Sequence, residues 1–360
     1  MTERVYLDWN ATAPLRPEAR DAMVAALDFV GNPSAVHAEG RKARALVEKA
    51  RAQVAAGVGC KSDEVVFTSG ATEAALILAE LQRGGDVVVE ETAHDALWAH
   101  HWVSQGADGS TGSCGTLAIG LANSETGVIS QVPQARDGQW VLNEVAADRL
   151  LLDVTQAVGR IPFSFAWSGA QFAILSAHKL GGPKGVGALI VREGNDIEPI
   201  LRGGGQELGR RSGTENVVGI VGFGAAIEAA VSDLASGRWD EVEKLRNILE
   251  TSLASEAKET IFVGKGEMRL PNTACFATPG WKGETQVMQM DLAGFAVSSG
   301  SACSSGKVKS SRVLQAMGVS DAAAAGALRV SMGPTTTEDE VMRFAEAWLH
   351  QHRKFRQRAA

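Results

Sequence analysis

Short β-branched runs, most of them separated by a helix-like segment or a glycine-rich loop, constrain this chain's fold more than any other feature. They are Val65-Val66-Phe67, Asp86 to Glu90, Thr116 to Leu121, Leu150 to Asp153, Phe172 to Ser176 and Ala188 to Arg192. Pro17 to Val30 carries Ala22, Met23, Ala26 and Leu27 at helical spacing after a proline start, and Arg41 to Val58 repeats the pattern more strongly. This alternation predicts an α/β sheet with mainly parallel strands and covering helices. Forty glycines suit a fold with many tight strand-to-helix turns. From about Arg238 the texture changes: a long charged helix, Trp239 to Ala254, leads into shorter strands and a helical stretch from near Thr337. The expected domains are a large one at residues 13–236 and a smaller α+β one at residues 1–12 with 237–360. The polar end, Arg353 to Ala360, reads as a frayed tail.

A chain of 360 residues that is 45% hydrophobic has the core for two domains. A net charge of −7 and the lack of a basic run argue against a nucleic-acid partner. The start, MTERVYLDWN, lacks the apolar core of a signal peptide, and no uninterrupted apolar stretch approaches about 18 residues. The expectation is a cytoplasmic protein with no membrane partner. The four cysteines, Cys60, Cys114, Cys275 and Cys303, form no Cys-x-x-Cys pair, so neither a disulfide framework nor a metal site is expected.

Four segments carry candidate chemistry. Phe67-Thr68-Ser69-Gly70-Ala71-Thr72-Glu73 follows a strand-like run and opens a helix-like one, which suits either phosphate binding or an ordinary capped helix. In Leu175-Ser176-Ala177-His178-Lys179-Leu180-Gly181-Gly182, a lysine directly after an apolar strand is either a surface turn residue or, desolvated, a nucleophile towards aldehydes. Ser176 and His178 can donate to a phosphate from the same loop. Asp153 ends an apolar strand, as a helix cap or as the partner of a protonated pyridine nitrogen. In Val297-Ser298-Ser299-Gly300-Ser301-Ala302-Cys303-Ser304-Ser305-Gly306, small polar residues surround one cysteine, which is either incidental to a linker or available to react. Cys60, Cys114 and Cys275 read as structural.

Taken together, these motifs resemble the cysteine desulfurases of the aminotransferase class V group, fold-type-I pyridoxal-phosphate (PLP) enzymes. The resemblance runs from Tyr6-Leu7-Asp8-Trp9-Asn10-Ala11-Thr12-Ala13-Pro14 through Gly31-Asn32-Pro33-Ser34-Ala35-Val36-His37 and Arg211-Ser212-Gly213-Thr214 to Leu328-Arg329-Val330-Ser331-Met332-Gly333. The Ser-Ser-Gly-Ser-Ala-Cys-Ser-Ser-Gly loop is the most specific part and resembles the subgroup that serves iron–sulfur assembly and nitrogen fixation. The resemblance implies a large PLP-binding domain with a seven-stranded-type sheet and a small domain carrying the Cys303 loop. It implies that Lys179 bonds to the cofactor aldehyde and moves the substrate α-proton, and that Cys303 accepts the sulfur as a persulfide. Asp153 would pair with the ring nitrogen, Gln156 would approach the ring hydroxyl, and His94 would stack on the ring. Ala71, Thr72, Ser176 and His178 would hold the phosphate, and Asn123 lies in a motif that lines the cofactor. Thr214 resembles a residue that reaches the phosphate from a second subunit, which implies a homodimer. Arg329 would anchor the carboxylate of L-cysteine through a fork that lysine lacks, with Asn10 also at the substrate. A sulfur acceptor or iron–sulfur scaffold would be the downstream partner.

Departures from the family pattern are a short stretch between His94 and Asn123, Ser124 in an Asn-Asn-Glu motif, Ala93 before His94, and an end soon after Trp348. The short stretch implies that a strand and helix are trimmed away. Rival readings are another class V enzyme, either a selenocysteine lyase or an aminotransferase, and a non-catalytic partner that kept the fold. An aminotransferase needs no exposed loop cysteine, and a degenerate partner would have lost Lys179, Asp153 or Cys303.

Overall fold

The β-branched runs become strands because both faces are apolar. Val65–Thr68, Phe172–Ser176 and Gly187–Val191 are buried along their whole length, as strands covered on both faces are. The structure, a computed structural model, describes residues 4–104, 114–199, 201–300 and 311–359. It divides into a unit of Pro14–Leu121 with Ser130–Ser232 and a unit of Met1–Ala13, Ala122–Ile129 and Asp233–Ala360.

In the larger unit the strand order is Val65–Thr68, Gly187–Val191, Phe172–Ser176, Val145–Asp153, Cys114–Gly120 and Asp86–Val89. Consecutive members of the last four pair in parallel. Gly187–Val191 runs antiparallel to both its neighbours, so every other strand on this path points the same way. Instead of seven strands in a row, six form this path among the described residues, and a hairpin adds two more. The hairpin, Gln134–Arg136 and Gln139–Leu142, docks beside the start of Val145–Asp153. Its turn is Asp137-Gly138, both with positive φ (51° and 82°), the conformation a two-residue hairpin turn demands.

Helix Ala38–Val58 starts on the His37 ring, which accepts from the Gly40 N–H, and stops at Gly59 in the left-handed conformation. A helix that sequence patterning did not assign, Val217–Ala235, is long and apolar enough by composition to cross a membrane. Within this unit it is a core helix. Ile220, Phe223 and Ile227 are buried, and Phe223 meets the Phe67 ring edge-on at 6.4 Å.

The smaller unit holds an antiparallel sheet in the order Ile261–Phe262, Thr273–Ala277, Ala327–Ser331 and Ser298–Ser299. Val5–Tyr6 pairs in parallel with Phe295–Ala296, which ties the first residues into this unit. Residues 122–129 join it too, through backbone bonds from Ile129 to Met268 and from Leu270 to Gly127. Leu249, Leu253, Phe276, Trp281, Phe344 and Trp348 are core residues. The expected frayed tail is instead helical, since Glu338–Ala359 is one continuous helix. Phe355 stacks on Trp281 at 5.4 Å, and Arg353 and Arg356 pair with Glu256 and Glu259. Basic residues in the last turn also complement the helix dipole.

Candidate active site

The parallel strands of the larger unit bring their C-terminal ends to one edge of the sheet, the place where an open α/β sheet receives ligands. Thr68 and Ser176 end the two strands that flank Gly187–Val191, and both register with Gly187. That position has no room for a side chain: a Cβ on Gly187 would lie 2.6 Å from the Leu175 carbonyl oxygen and 2.7 Å from the Gly70 Cα. The Ser69-Gly70 turn is therefore drawn tight against the strand end. A Cβ on Gly70 would lie 3.6 Å from Ser176 Oγ, so the turn and the serine face each other. Ala71 and Thr72 open the short helix Ala71–Ala74 directly after this turn. Glu73 fixes it, accepting the Ser69 N–H at 2.8 Å and the Arg211 Nε–H at 2.8 Å.

Lys179 closes a single 3-10 turn, Ala177–Lys179, that follows strand Phe172–Ser176 without a gap. It is half-buried. Burial, reinforced by the nearby cations Lys179, Lys184 and Arg160, pulls His178 down to about 4. His178 is thus neutral at neutral pH in surroundings that are positive overall. Asp153 ends strand Val145–Asp153, registered between Gly120 and Ile174. Its Oδ1 accepts the Thr155 N–H at 2.9 Å, which fixes the carboxylate at the strand end. The Thr155 hydroxyl beside it is buried without a hydrogen-bond partner among the described residues. Gln156 is buried and its Oε1 accepts from Arg160 Nη1 at 2.6 Å, while Arg160 Nη2 donates to the Lys179 carbonyl at 2.8 Å. One buried guanidinium therefore spans the segments that carry Gln156 and Lys179.

His94 is exposed and caps the short helix Asp95–Trp98, its Nδ1 accepting the Ala96 N–H at 3.1 Å. Thr214 is exposed and lines a cavity of about 100 Å³ together with Thr68, Ser69, Glu207 and Arg211. The larger unit thus carries Ala71, Thr72, His94, Asp153, Gln156, Ser176, His178, Lys179 and Thr214.

Arg329, Asn10 and Asn123 belong to the smaller unit. Arg329 is buried, donating from Nη2 to Asp8 Oδ1 at 2.7 Å and from Nη1 to the Ser124 carbonyl at 3.0 Å. Asn10 is fully buried, donating to the Ser124 carbonyl and Thr273 Oγ1 and accepting from Asn272 Nδ2. These bonds give it a bracing job in this unit. Asn123 Oδ1 accepts the N–H groups of Glu125 and Thr126, which makes it the cap of a tight turn. Glu125 Oε2 accepts from the Ser311 hydroxyl at 2.6 Å. Cys303 lies outside the described residues. Of the other cysteines, burial pushes the thiols of Cys60 and Cys275 up to about 12, so both stay protonated and poorly nucleophilic.

Sequence reasoning missed Arg160, Asp8, Glu73 with Arg211, and the buried pair Arg51–Glu207. Arg160 follows Gln156 by four residues in the turns after Val145–Asp153, where backbone bonds such as Val158 N–H to the Val154 carbonyl coil the chain and bring the two side chains together.

The aminotransferase class-V family model matches residues 5–108 and 108–344. A cysteine desulfurase from Cereibacter sphaeroides is 38% identical over 96% of this chain and 94% of its own length. The cysteine desulfurase IscS of Dictyoglomus turgidum is 34% identical over 95% of this chain and 92% of its own. The X-ray structure of a NifS-like protein from Rickettsia africae superposes with a TM-score of 0.83 at 30% identity, covering 97% of this chain and all of that one (100%). The strand-end lysine and aspartate, the turn at Gly70 and the buried arginine therefore sit in a chain that belongs to the aminotransferase class-V family and, within it, groups with the cysteine desulfurases.

Proposed function

We propose that the protein is a PLP-dependent cysteine desulfurase that converts L-cysteine to L-alanine and carries the sulfur as a persulfide on Cys303. The observation that carries this reading is the half-buried Lys179 at a strand end, with Asp153 ending the adjacent parallel strand and the Gly70 turn facing Ser176. These residues fit the cofactor. Neutral His178 amid Lys179, Lys184 and Arg160 suits a phosphate, and the fixed Asp153 carboxylate suits a protonated ring nitrogen. The unpartnered Thr155 hydroxyl adds a buried polar atom in want of a partner.

When bound, PLP supplies an electron sink that makes the substrate carbon–sulfur bond breakable. Lys179 holds the cofactor aldehyde and then takes and returns the proton at the substrate Cα. Asp153 keeps the ring nitrogen protonated, Gln156 approaches the ring hydroxyl, and His94 assists proton transfer over the ring. Ala71, Thr72, Ser176 and His178 hold the phosphate, Asn123 shapes the turn beside Ser124, and Thr214 reaches the phosphate of a second subunit in a homodimer. Arg329 receives the substrate carboxylate and Asn10 braces that site. Cys303, as a thiolate, attacks the substrate sulfur. The sulfur–sulfur bond forms as the carbon–sulfur bond breaks, and alanine leaves after reprotonation. The persulfide then passes to an acceptor such as an iron–sulfur scaffold, which we place in the cytoplasm.

The test is reconstitution of purified protein with PLP, followed by visible absorbance, with Lys179→Ala and Asp153→Ala alongside. A yellow wild type, a colourless Lys179→Ala after dialysis and a spectrally shifted Asp153→Ala are expected. A wild type that takes up no cofactor overturns the reading.

A further inference from the structure

Arg329 is only 3% exposed, and its guanidinium is held on two sides. Nη2 donates to Asp8 Oδ1 at 2.7 Å and Nη1 to the Ser124 carbonyl at 3.0 Å. Nε is buried and has no partner among the described residues. A buried arginine with an unpaired N–H is costly in an unliganded site, and a fork donor of this kind matches a carboxylate.

Asp8 is itself fixed. Its neighbours bond to Ser331, from the Trp9 N–H to the Ser331 carbonyl and from the Ser331 N–H to the Leu7 carbonyl, and the Tyr6 hydroxyl donates to the Asp8 carbonyl. Its second carboxylate oxygen accepts the Ser298 hydroxyl at 2.8 Å, and Ser298 registers directly with Arg329 in the sheet. Asp8 therefore has one oxygen on the guanidinium and one on the strand beside it.

We infer that Asp8 is the positioning residue for substrate recognition: it locks the plane of the Arg329 guanidinium that receives the α-carboxylate of an amino-acid substrate. The inference rests on the reading of Arg329 as the carboxylate anchor and adds what orients it. Asp8 touches no reacting atom. Its effect is confined to ligands that carry a carboxylate, and it raises affinity by removing the entropy a free guanidinium would lose on binding.

The experiment measures binding to the PLP-loaded enzyme by its absorbance change, with L-alanine and, as the same amine without a carboxylate, ethylamine. Wild type, Asp8→Ala, Asp8→Asn and Arg329→Ala are compared. Asp8→Ala should weaken L-alanine about tenfold or more, the scale of a hydrogen bond to a charged group, and leave ethylamine unchanged. Asp8→Asn keeps an acceptor for Nη2 and should restore L-alanine to within about threefold of wild type. For L-cysteine turnover the Asp8→Ala loss should fall on KM rather than kcat. Equal weakening of both ligands in Asp8→Ala, no weakening, or no recovery in Asp8→Asn overturns the role of Asp8. If Arg329→Ala leaves L-alanine binding intact, the carboxylate-anchor reading beneath it fails instead.

Discussion

Arg51 and Glu207 meet through two parallel hydrogen bonds, Nη1 to Oε2 at 2.7 Å and Nη2 to Oε1 at 2.8 Å, with both side chains buried. The same Glu207 Oε2 accepts the Phe67 N–H, Arg51 Nη1 also donates to the Val65 carbonyl, and the guanidinium lies 4.8 Å over the Phe67 ring. The pair thus fastens the strand that delivers the Gly70 turn. Glu207 and the next residue, Leu208, have left-handed backbone conformations (φ 51° and 58°), which non-glycine residues seldom adopt.

Removing either partner should unfold the protein early, because the other charge is left buried and unpaired. Glu207→Ala or Arg51→Ala should each cost about 3–5 kcal/mol in urea denaturation, and the double variant less than the sum. Single losses below about 1 kcal/mol would mean that water reaches the pair.

Arg160 spans Gln156 and the Lys179 backbone. Arg160→Ala should lower kcat for sulfide production about tenfold or more while the fold persists, since small misplacements of reacting groups are expensive. Steady-state kinetics with a melting curve checks this. Unchanged kcat would reduce Arg160 to a packing residue.

At Gly187 a methyl group would collide with the Leu175 carbonyl and the Gly70 Cα. Gly187→Ala should cost about 1–3 kcal/mol by overpacking and weaken PLP retention by displacing the turn. Cofactor release on dilution and thermal melting of the same sample separate the two effects. A variant as stable and as tightly loaded as wild type would show that the turn can yield.

His178 gives the cofactor-free protein a pH-dependent stability with a definite sign. Its folded value is lowered from 6.5 to about 4, first by burial and then by Lys179, Lys184 and Arg160. The unfolded chain therefore binds the proton more readily, and the stabilisation is present above about 6.5 and lost as pH falls towards 4. Unfolding midpoints measured across that window should fall for wild type and fall less for His178→Asn. Equal slopes would show that His178 does not titrate with folding.

Much of the large sheet was legible from the chain because its strands are short β-branched runs with both faces buried. Phe172–Ser176 has the expected bounds, and Asp86–Val89 and Gly187–Val191 lie within a residue of theirs. The hairpin at Gln134–Leu142 was not, since its outer strand, Gln134–Arg136, is exposed and lacks β-branched residues. Helix Val217–Ala235 was hidden by Gly219, Gly222 and Gly224, which weaken helical propensity. Tertiary packing explains one of them: a Cβ on Gly224 would lie 2.8 Å from the Ala50 Cα. At the site, Lys179, Asp153 and the Gly70 turn were legible because strand ends and glycines mark them. Asp8 with Arg329 and Arg51 with Glu207 were not, because neither periodicity nor local spacing reports an ion pair between distant segments.

The most direct test of desulfuration through Cys303 is mass spectrometry of the PLP-loaded enzyme after a single turnover with L-cysteine and no reductant, with alanine quantified in the same sample. The expected result is a one-sulfur mass gain on the peptide carrying Cys303, in step with alanine, absent from Cys303→Ala and Lys179→Ala. Alanine formed in full by Cys303→Ala, or sulfur found on another cysteine, would contradict the assignment of Cys303 as the sulfur acceptor.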